Sequence, residues 1–110
     1  ARVRRGDIVT VAGGIYASKP RPALVIQDDR FNATDSVTVC PFTTTVVDAP
    51  LLRVAVPADD GNALDKDSYL MIDKVTTVRR TNVHNVIGHL EATTFVEFER
   101  RLLVFLGFGG

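Results

Sequence analysis

The apolar positions of this chain fall in short clusters rather than in one long periodic run. Residues 7–12, Asp-Ile-Val-Thr-Val-Ala, are rich in β-branched side chains that suit a pleated, half-buried surface, and they predict a first strand. Gly13-Gly14 opens a loop predicted to run through Ser18-Lys19-Pro20-Arg21-Pro22. The prolines flanking Arg21 restrict their neighbours' backbones and push it towards an extended conformation. Residues 23–27, Ala-Leu-Val-Ile-Gln, form an apolar run consistent with a buried strand, and the polar stretch 28–36 reads as a loop or a single helical turn. A third strand is predicted over 37–42, ending or bulging at Pro41, which has no N–H to give to a ladder. Residues 51–56 predict a fourth strand, 57–66 a polar Asp/Gly/Asn loop, 68–78 a long strand bent near Asp73, and 86–90 a short last strand.

Only residues 92–106 carry a helical period. Phe95, Phe98, Leu102, Phe105 and Leu106 recur at three- and four-residue steps and make one apolar face, with Gly107 as the terminator. Many short strands followed by one helix predict a β-rich α+β fold, a small barrel-like sheet with the C-terminal helix packed on it. Nothing in the 110 residues suggests a repeat or a second unit, so residues 1–110 read as one domain.

Composition narrows the class. A chain 45% hydrophobic and 24% charged is globular rather than disordered, and no apolar run approaches the roughly 20 residues of a membrane span. Cys40 is the single cysteine, which rules out an internal disulfide and points to a reducing, cytoplasmic setting. The basic start, Ala1-Arg2-Val3-Arg4-Arg5, leads into a strand pattern and not into the apolar region of a signal peptide. A net charge of zero argues against a surface that binds nucleic acid everywhere. The charge is uneven, however: the first 30 residues are rich in arginine, while Asp59, Asp60, Asp65, Asp67 and Asp73 crowd the segment 59–73. A local basic groove remains compatible with zero net charge.

Several side chains could carry chemistry. Arg21 offers a planar fork of donors that matches two phosphate oxygens. Thr43, Thr44 and Thr45 place hydroxyls at a strand end, and Asp73 is an acceptor near the predicted bend. His84 and His89 could form an acid–base pair near neutral pH. One cysteine and two histidines show no zinc spacing. Arg79-Arg80 reads mainly as a solvated turn, and Tyr16, Phe31 and Phe42 could stack on unpaired bases, although phenylalanines more often belong to a core.

Taken in order, these segments resemble the MazF/PemK toxins. Arg5-Gly6-Asp7-Ile8-Val9 is similar to the family's opening, and Arg21-Pro22-Ala23-Leu24-Val25-Ile26 to its second strand. Val37 to Thr43 resembles the third strand, which ends in a reactive-site threonine; Asp73-Lys74-Val75-Thr76-Thr77-Val78 and Ile87-Gly88-His89-Leu90 complete the series. Two departures stand out. The first loop is short and lacks the family's Ser-Glu-Gln-x-Gly stretch, and Met71 stands where some members have a catalytic arginine.

The resemblance implies a small SH3-like barrel of about five to six strands with a packed C-terminal helix. It also implies a sequence-specific, metal-independent endoribonuclease, the toxin of a type II toxin–antitoxin system, that arrests growth by cutting single-stranded mRNA. In the implied reaction the ribose 2′-hydroxyl attacks its neighbouring phosphate, leaving a 2′,3′-cyclic phosphate and a 5′-hydroxyl, with no cofactor. Arg21, Thr43 and Asp73 take the catalytic places, and Lys19, Thr44, Lys74, Arg79 and Arg80 the RNA-binding ones. The implied partners are single-stranded RNA, a second copy of the chain in a homodimer, and a cognate antitoxin whose disordered acidic tail folds onto the groove. The alternative is a gyrase-poisoning toxin resembling CcdB on the same fold, a branch that relies on a C-terminal tryptophan; this chain has none.

Overall fold

The computed structural model describes residues 2–13 and 17–108. Its strands are β1 (Asp7–Gly13), β2 (Ala17–Val25), β3 (Ser36–Thr43), β4 (Arg53–Val56), β5 (Ser68–Met71), β6 (Thr76–Arg79) and β7 (Val83–His89), followed by helix α1 (Ala92–Phe105). Short 3-10 turns at Asp29–Phe31, Ile72–Lys74 and Arg80–Asn82 join them. Every recorded pairing is antiparallel, in the order β4-β5-β3-β2-β1-β7, and β6 pairs with the first half of β3. The sheet curls like a barrel, but among the described residues its ladder does not close.

β3 organises the interior because its buried face switches midway, between Val39 and Cys40. Cys40 and Phe42 point into a cluster with Ile8, Leu24, Leu70, Phe95 and Phe98, which α1 roofs over. Val37 and Val39 point the other way, to Val9, Val11, Ala23, Val25, Val78 and Val83. A strand buried on two faces must be apolar at successive positions, which is why the end of β2, Ala23-Leu24-Val25, reads as a run rather than as an alternation. Within the roof, the rings of Phe95 and Phe98 meet edge-on with centroids 5.7 Å apart.

α1 ends in a Schellman motif. Gly107 takes φ +84°, its N–H donates to the Val104 carbonyl at 3.0 Å, and the Phe108 N–H donates to the Leu103 carbonyl at 2.8 Å. The predicted terminator is therefore the actual one. Phe105 and Leu106, expected on the buried face, are instead 48% and 52% exposed. The apolar stripe is longer than the surface it covers.

The strands differ from the sequence expectation in specific ways. There are seven rather than five to six, because the stretch 68–78 is broken into β5 and β6 by the turn at Ile72–Lys74. β2 begins at Ala17, so Lys19-Pro20-Arg21-Pro22 is strand and not loop: pairing with β1 holds it, with Pro22 opposite Thr10 and Arg21 opposite Val11. Proline is already extended, and it fits wherever its missing N–H is not needed as a donor. β3 runs through Pro41 to Thr43, Leu51 and Leu52 precede β4, and β7 starts at Val83. Among the described residues no helix is long and apolar enough to cross a membrane.

Candidate active site

Antiparallel register points two candidate residues towards one another. β2 and β3 pair Val25 with Val39, Leu24 with Cys40 and Ala23 with Pro41. The ladder stops at Ala23–Pro41; carried two residues further, the same register would set Arg21 opposite Thr43, on the face shared by Ala23, Val25 and Val39. Paired residues project to the same side of a sheet with Cβ atoms roughly 5 Å apart. Arg21 is exposed and, among the described residues, has no ion pair. The Thr43 hydroxyl oxygen accepts the Thr45 N–H at 3.1 Å, which fixes the oxygen and leaves its hydrogen to donate outward. A free guanidinium beside an oriented hydroxyl donor is a receptor for one phosphate group.

Asp73 belongs to a different set of contacts. From the turn after β5, its Oδ1 accepts the Arg53 Nη1–H at 2.7 Å, and Lys74 Nζ stands 3.8 Å from Oδ2. Burial resists ionisation of this carboxyl, but the Arg53 hydrogen bond and the nearby charges outweigh it and hold Asp73 below the usual carboxylate range. Arg53 also donates to the Leu52 carbonyl, and its buried Nε has no partner. Arg101 extends the network to α1, donating to the Pro50 and Arg53 carbonyls and to Glu97, whose carboxyl Arg101 and Arg100 hold low. Asp73 thus pins the end of β5 to β4 and, through Arg53 and Arg101, to the helix.

Against this geometry stand the comparisons with known proteins. The family described as PemK-like, MazF-like toxin of type II toxin-antitoxin system matches residues 4–106. This chain belongs to that family. A probable endoribonuclease MazF from Mycolicibacterium smegmatis is 55% identical over 109 residues, covering 98% of this chain and 100% of that one, so the toxin groups with the MazF endoribonucleases. Solved structures share its fold. Toxin MazF-mt6 of Mycobacterium tuberculosis matches with a TM-score of 0.78 at 24% identity, over 92% of this chain and 96% of that one. A MazE–MazF crystal structure from Deinococcus radiodurans matches at 0.80 and 22% identity, over 97% and 98%.

In this toxin the remaining candidates separate by position. Lys19 is exposed two residues before Arg21 on β2, and Thr44 is exposed directly after β3, so both flank the Arg21–Thr43 pair. Lys74 is exposed beside Asp73. Arg79 lies opposite Ser36, at the other end of β3 from Thr43. Seven residues of strand separate the two, roughly 23 Å at strand rise. Arg80 is committed to the fold: its Nε donates to the Thr34 carbonyl at 2.7 Å and its backbone N–H to Asp35. His84 and His89 sit near opposite ends of β7, five residues apart, and His89 Nδ1 meets Asp7 Oδ1 at 3.3 Å. The structure does not bring the two histidines together as an acid–base pair.

Phe42 is buried and belongs to the core, Phe31 is 56% exposed on the turn after β2, and Tyr16 lies outside the described residues. The Cys40 thiol is pushed up to about 12, by burial first, and donates to the Met71 carbonyl at 3.2 Å. Among the described residues no three His, Cys, Asp or Glu side chains gather where they could hold a metal ion. Two residues escaped the sequence reading. Arg53 is the partner of Asp73, and Tyr69 stands opposite Thr43 on β5. Alternation in Ser68-Tyr69-Leu70-Met71 carries the signal for the second, since Tyr69 and Met71 share the face away from the core.

Proposed function

We propose that this toxin is a sequence-specific endoribonuclease that cuts single-stranded mRNA by 2′-hydroxyl attack, without a metal. The observation that carries the reading is the β2–β3 register, which, carried two residues past Ala23–Pro41, would set Arg21 opposite Thr43. RNA supplies its own nucleophile beside the phosphorus, so the protein need only orient the chain and stabilise the crowded phosphorane. The O2′–P bond forms, the P–O5′ bond breaks, the 2′ proton is released and the 5′ oxygen takes one up. The products are a 2′,3′-cyclic phosphate and a 5′-hydroxyl. Arg21 binds the non-bridging oxygens with its fork, and Thr43 donates its hydroxyl hydrogen to the developing charge. Lys19 and Thr44 flank the phosphate, Lys74 extends the basic margin, and Asp73 acts as a positioning residue that fixes the end of β5 through Arg53.

The purified toxin is expected to cut an unstructured transcript in excess EDTA and to leave 5′ ends that need phosphorylation before ligation. Intact RNA in EDTA, or 5′-phosphate ends, would reject the reading. Sequencing the same ends maps the cleavage preference.

The working unit is a homodimer. Leu103, Val104, Phe105, Leu106 and Phe108 at the end of α1, with Val46, Val47 and Leu51 after β3, are large apolar side chains exposed on the monomer, and a second copy would cover them. Sedimentation equilibrium is expected to return twice the 12.0 kDa chain mass, falling to one chain mass on Phe105→Asp; a wild-type monomer at tens of micromolar would count against it. A cognate antitoxin with a disordered acidic tail would fold over the Lys19–Arg21 margin and block it, at the expense of its own ordering entropy. Released toxin would then act on mRNA in the cytoplasm and arrest growth.

A further inference from the structure

Tyr69 pairs directly with Thr43 in the β3–β5 ladder, so the phosphate receptor has an aromatic ring on the side away from Arg21. We propose that Tyr69, supported by Met71 and Pro41, is the platform on which a base next to the scissile phosphate stacks, and so a specificity-determining residue of the toxin. The inference rests on the endoribonuclease reading above and adds to it the residue that holds the base. Ser68 and Leu70 are buried, whereas Tyr69 and Met71 are half-exposed on the opposite face of β5. Pro41, two residues before Thr43, is half-exposed on that same face of β3. On the far side of Tyr69, β4 presents Ala55, exposed and too small to cover the ring. The row across the sheet therefore reads cation, hydroxyl, aromatic ring, open space.

The physical need for such a platform follows from the chemistry. In-line attack by a 2′-hydroxyl requires an extended nucleotide, and extension unstacks neighbouring bases from one another. An unstacked base gains from an aromatic face, and unpaired bases are commonly held in this way. Phosphate contacts at Arg21 and Lys19 set the position of the backbone without reading sequence, so discrimination has to come from groups that touch the base. Tyr69 is the aromatic side chain in direct register with the reactive row.

The test uses kinetics and one spectroscopic probe. The chain has two tyrosines, so in a Tyr16→Phe background labelled with 3-fluorotyrosine the full-length toxin shows one fluorine resonance, that of Tyr69. An oligonucleotide carrying the mapped cleavage sequence with a 2′-deoxy scissile nucleotide binds but cannot react. It is expected to shift that resonance, and the same oligonucleotide made abasic beside the cut is expected not to. Tyr69→Ala should raise KM about tenfold, change kcat less, and relax base preference at one position flanking the cut. Tyr69→Phe should restore both, because the ring rather than the hydroxyl does the stacking. Tyr69→Val, β-branched and suited to a strand, repeats the Ala result if Ala disturbs folding.

Wild-type cleavage combined with an unmoved resonance, or with an unchanged KM and cut profile in Tyr69→Val, overturns the platform while leaving the endoribonuclease reading intact. A Tyr69→Val toxin that sediments as a monomer beside a dimeric wild type also overturns it, since the ring would then be a subunit contact. Failure of the wild type to cut any RNA removes both readings together.

Discussion

Arg21→Ala is expected to lower kcat/KM for RNA cleavage at least a hundredfold while leaving the fold intact. Arg21 is exposed on β2, whose buried residues are Ala23, Leu24 and Val25, so truncating it removes charge and donors without opening the core. A donor aimed at charge that develops in the transition state is commonly worth roughly 3 to 4 kcal/mol. At about 1.4 kcal/mol per tenfold, that is a loss of between a hundred and a thousandfold. Arg21→Lys should recover little of it, because a point charge cannot reproduce the two parallel bonds of a guanidinium. Thr43→Ala should cost less, about tenfold, with Thr43→Ser retaining most of the rate since serine keeps the hydroxyl. The double variant should be less impaired than the product of the singles, because both groups serve one phosphorane. Single-turnover assays in EDTA, with circular dichroism as the control for folding, measure all five. An Arg21→Ala rate within tenfold of wild type would remove Arg21 from the chemistry and with it the reason for pairing it with Thr43.

How much of this was legible in the sequence depends on which physical signal each feature leaves. The two-sided burial at the end of β2 leaves an apolar run, and that was readable. The helix leaves a 3.6-residue period and a terminal glycine, and its end falls where Gly107 predicts. What leaves no local signal is tertiary pairing. Lys19-Pro20-Arg21-Pro22 has the composition of a loop and becomes strand only because β1 lies beside it. The break of the stretch 68–78 at Ile72–Lys74 lets one chain segment serve both halves of β3, through Tyr69 and Leu70 on one side and Thr76 to Arg79 on the other.

The site shows the same division. Residue type and order point to Arg21 and Thr43, and the β2–β3 ladder, which stops at Ala23–Pro41, runs towards both. Asp73 was chosen by type as well, but its use depends on Arg53, 20 positions earlier, which nothing in the local pattern connects to it. Arg79 and Arg80 attract notice as a basic pair, yet β6 runs along the half of β3 that ends at Ser36, away from Thr43. Tyr69 was passed over for the converse reason. A lone aromatic in a short apolar strand has the look of a core residue, and only its partner in register gives it another use.

Phe98→Ala is expected to be the most damaging single truncation for stability. Phe98 is 1% exposed and fills the cluster between α1 and the sheet, against Phe95 on its own helix and in the company of Ile8, Leu24, Leu70 and Leu90. Removing a buried phenylalanine costs roughly 3 to 5 kcal/mol, since the cavity left behind collapses only in part. For a domain whose whole stability is about 5 to 15 kcal/mol, the melting temperature should fall on the order of 15 °C.

Phe105 provides the contrast that gives the measurement its meaning. It lies seven residues further along the same helix but is 48% exposed, so Phe105→Ala should matter through subunit association rather than through the core. Its effect on melting should therefore depend on protein concentration, while the additional loss from Phe98→Ala should not. The consequence reaches the site, because α1 roofs the cluster that Cys40 and Phe42 anchor from β3, three and one residues from the end that carries Thr43. Slack in that cluster loosens the position of the hydroxyl, and small displacements of a catalytic group cost large factors in rate. Phe98→Ala should thus lose kcat even at temperatures where circular dichroism still reports it folded. A melting temperature within a few degrees of wild type would mean that α1 is not what holds β3 in place.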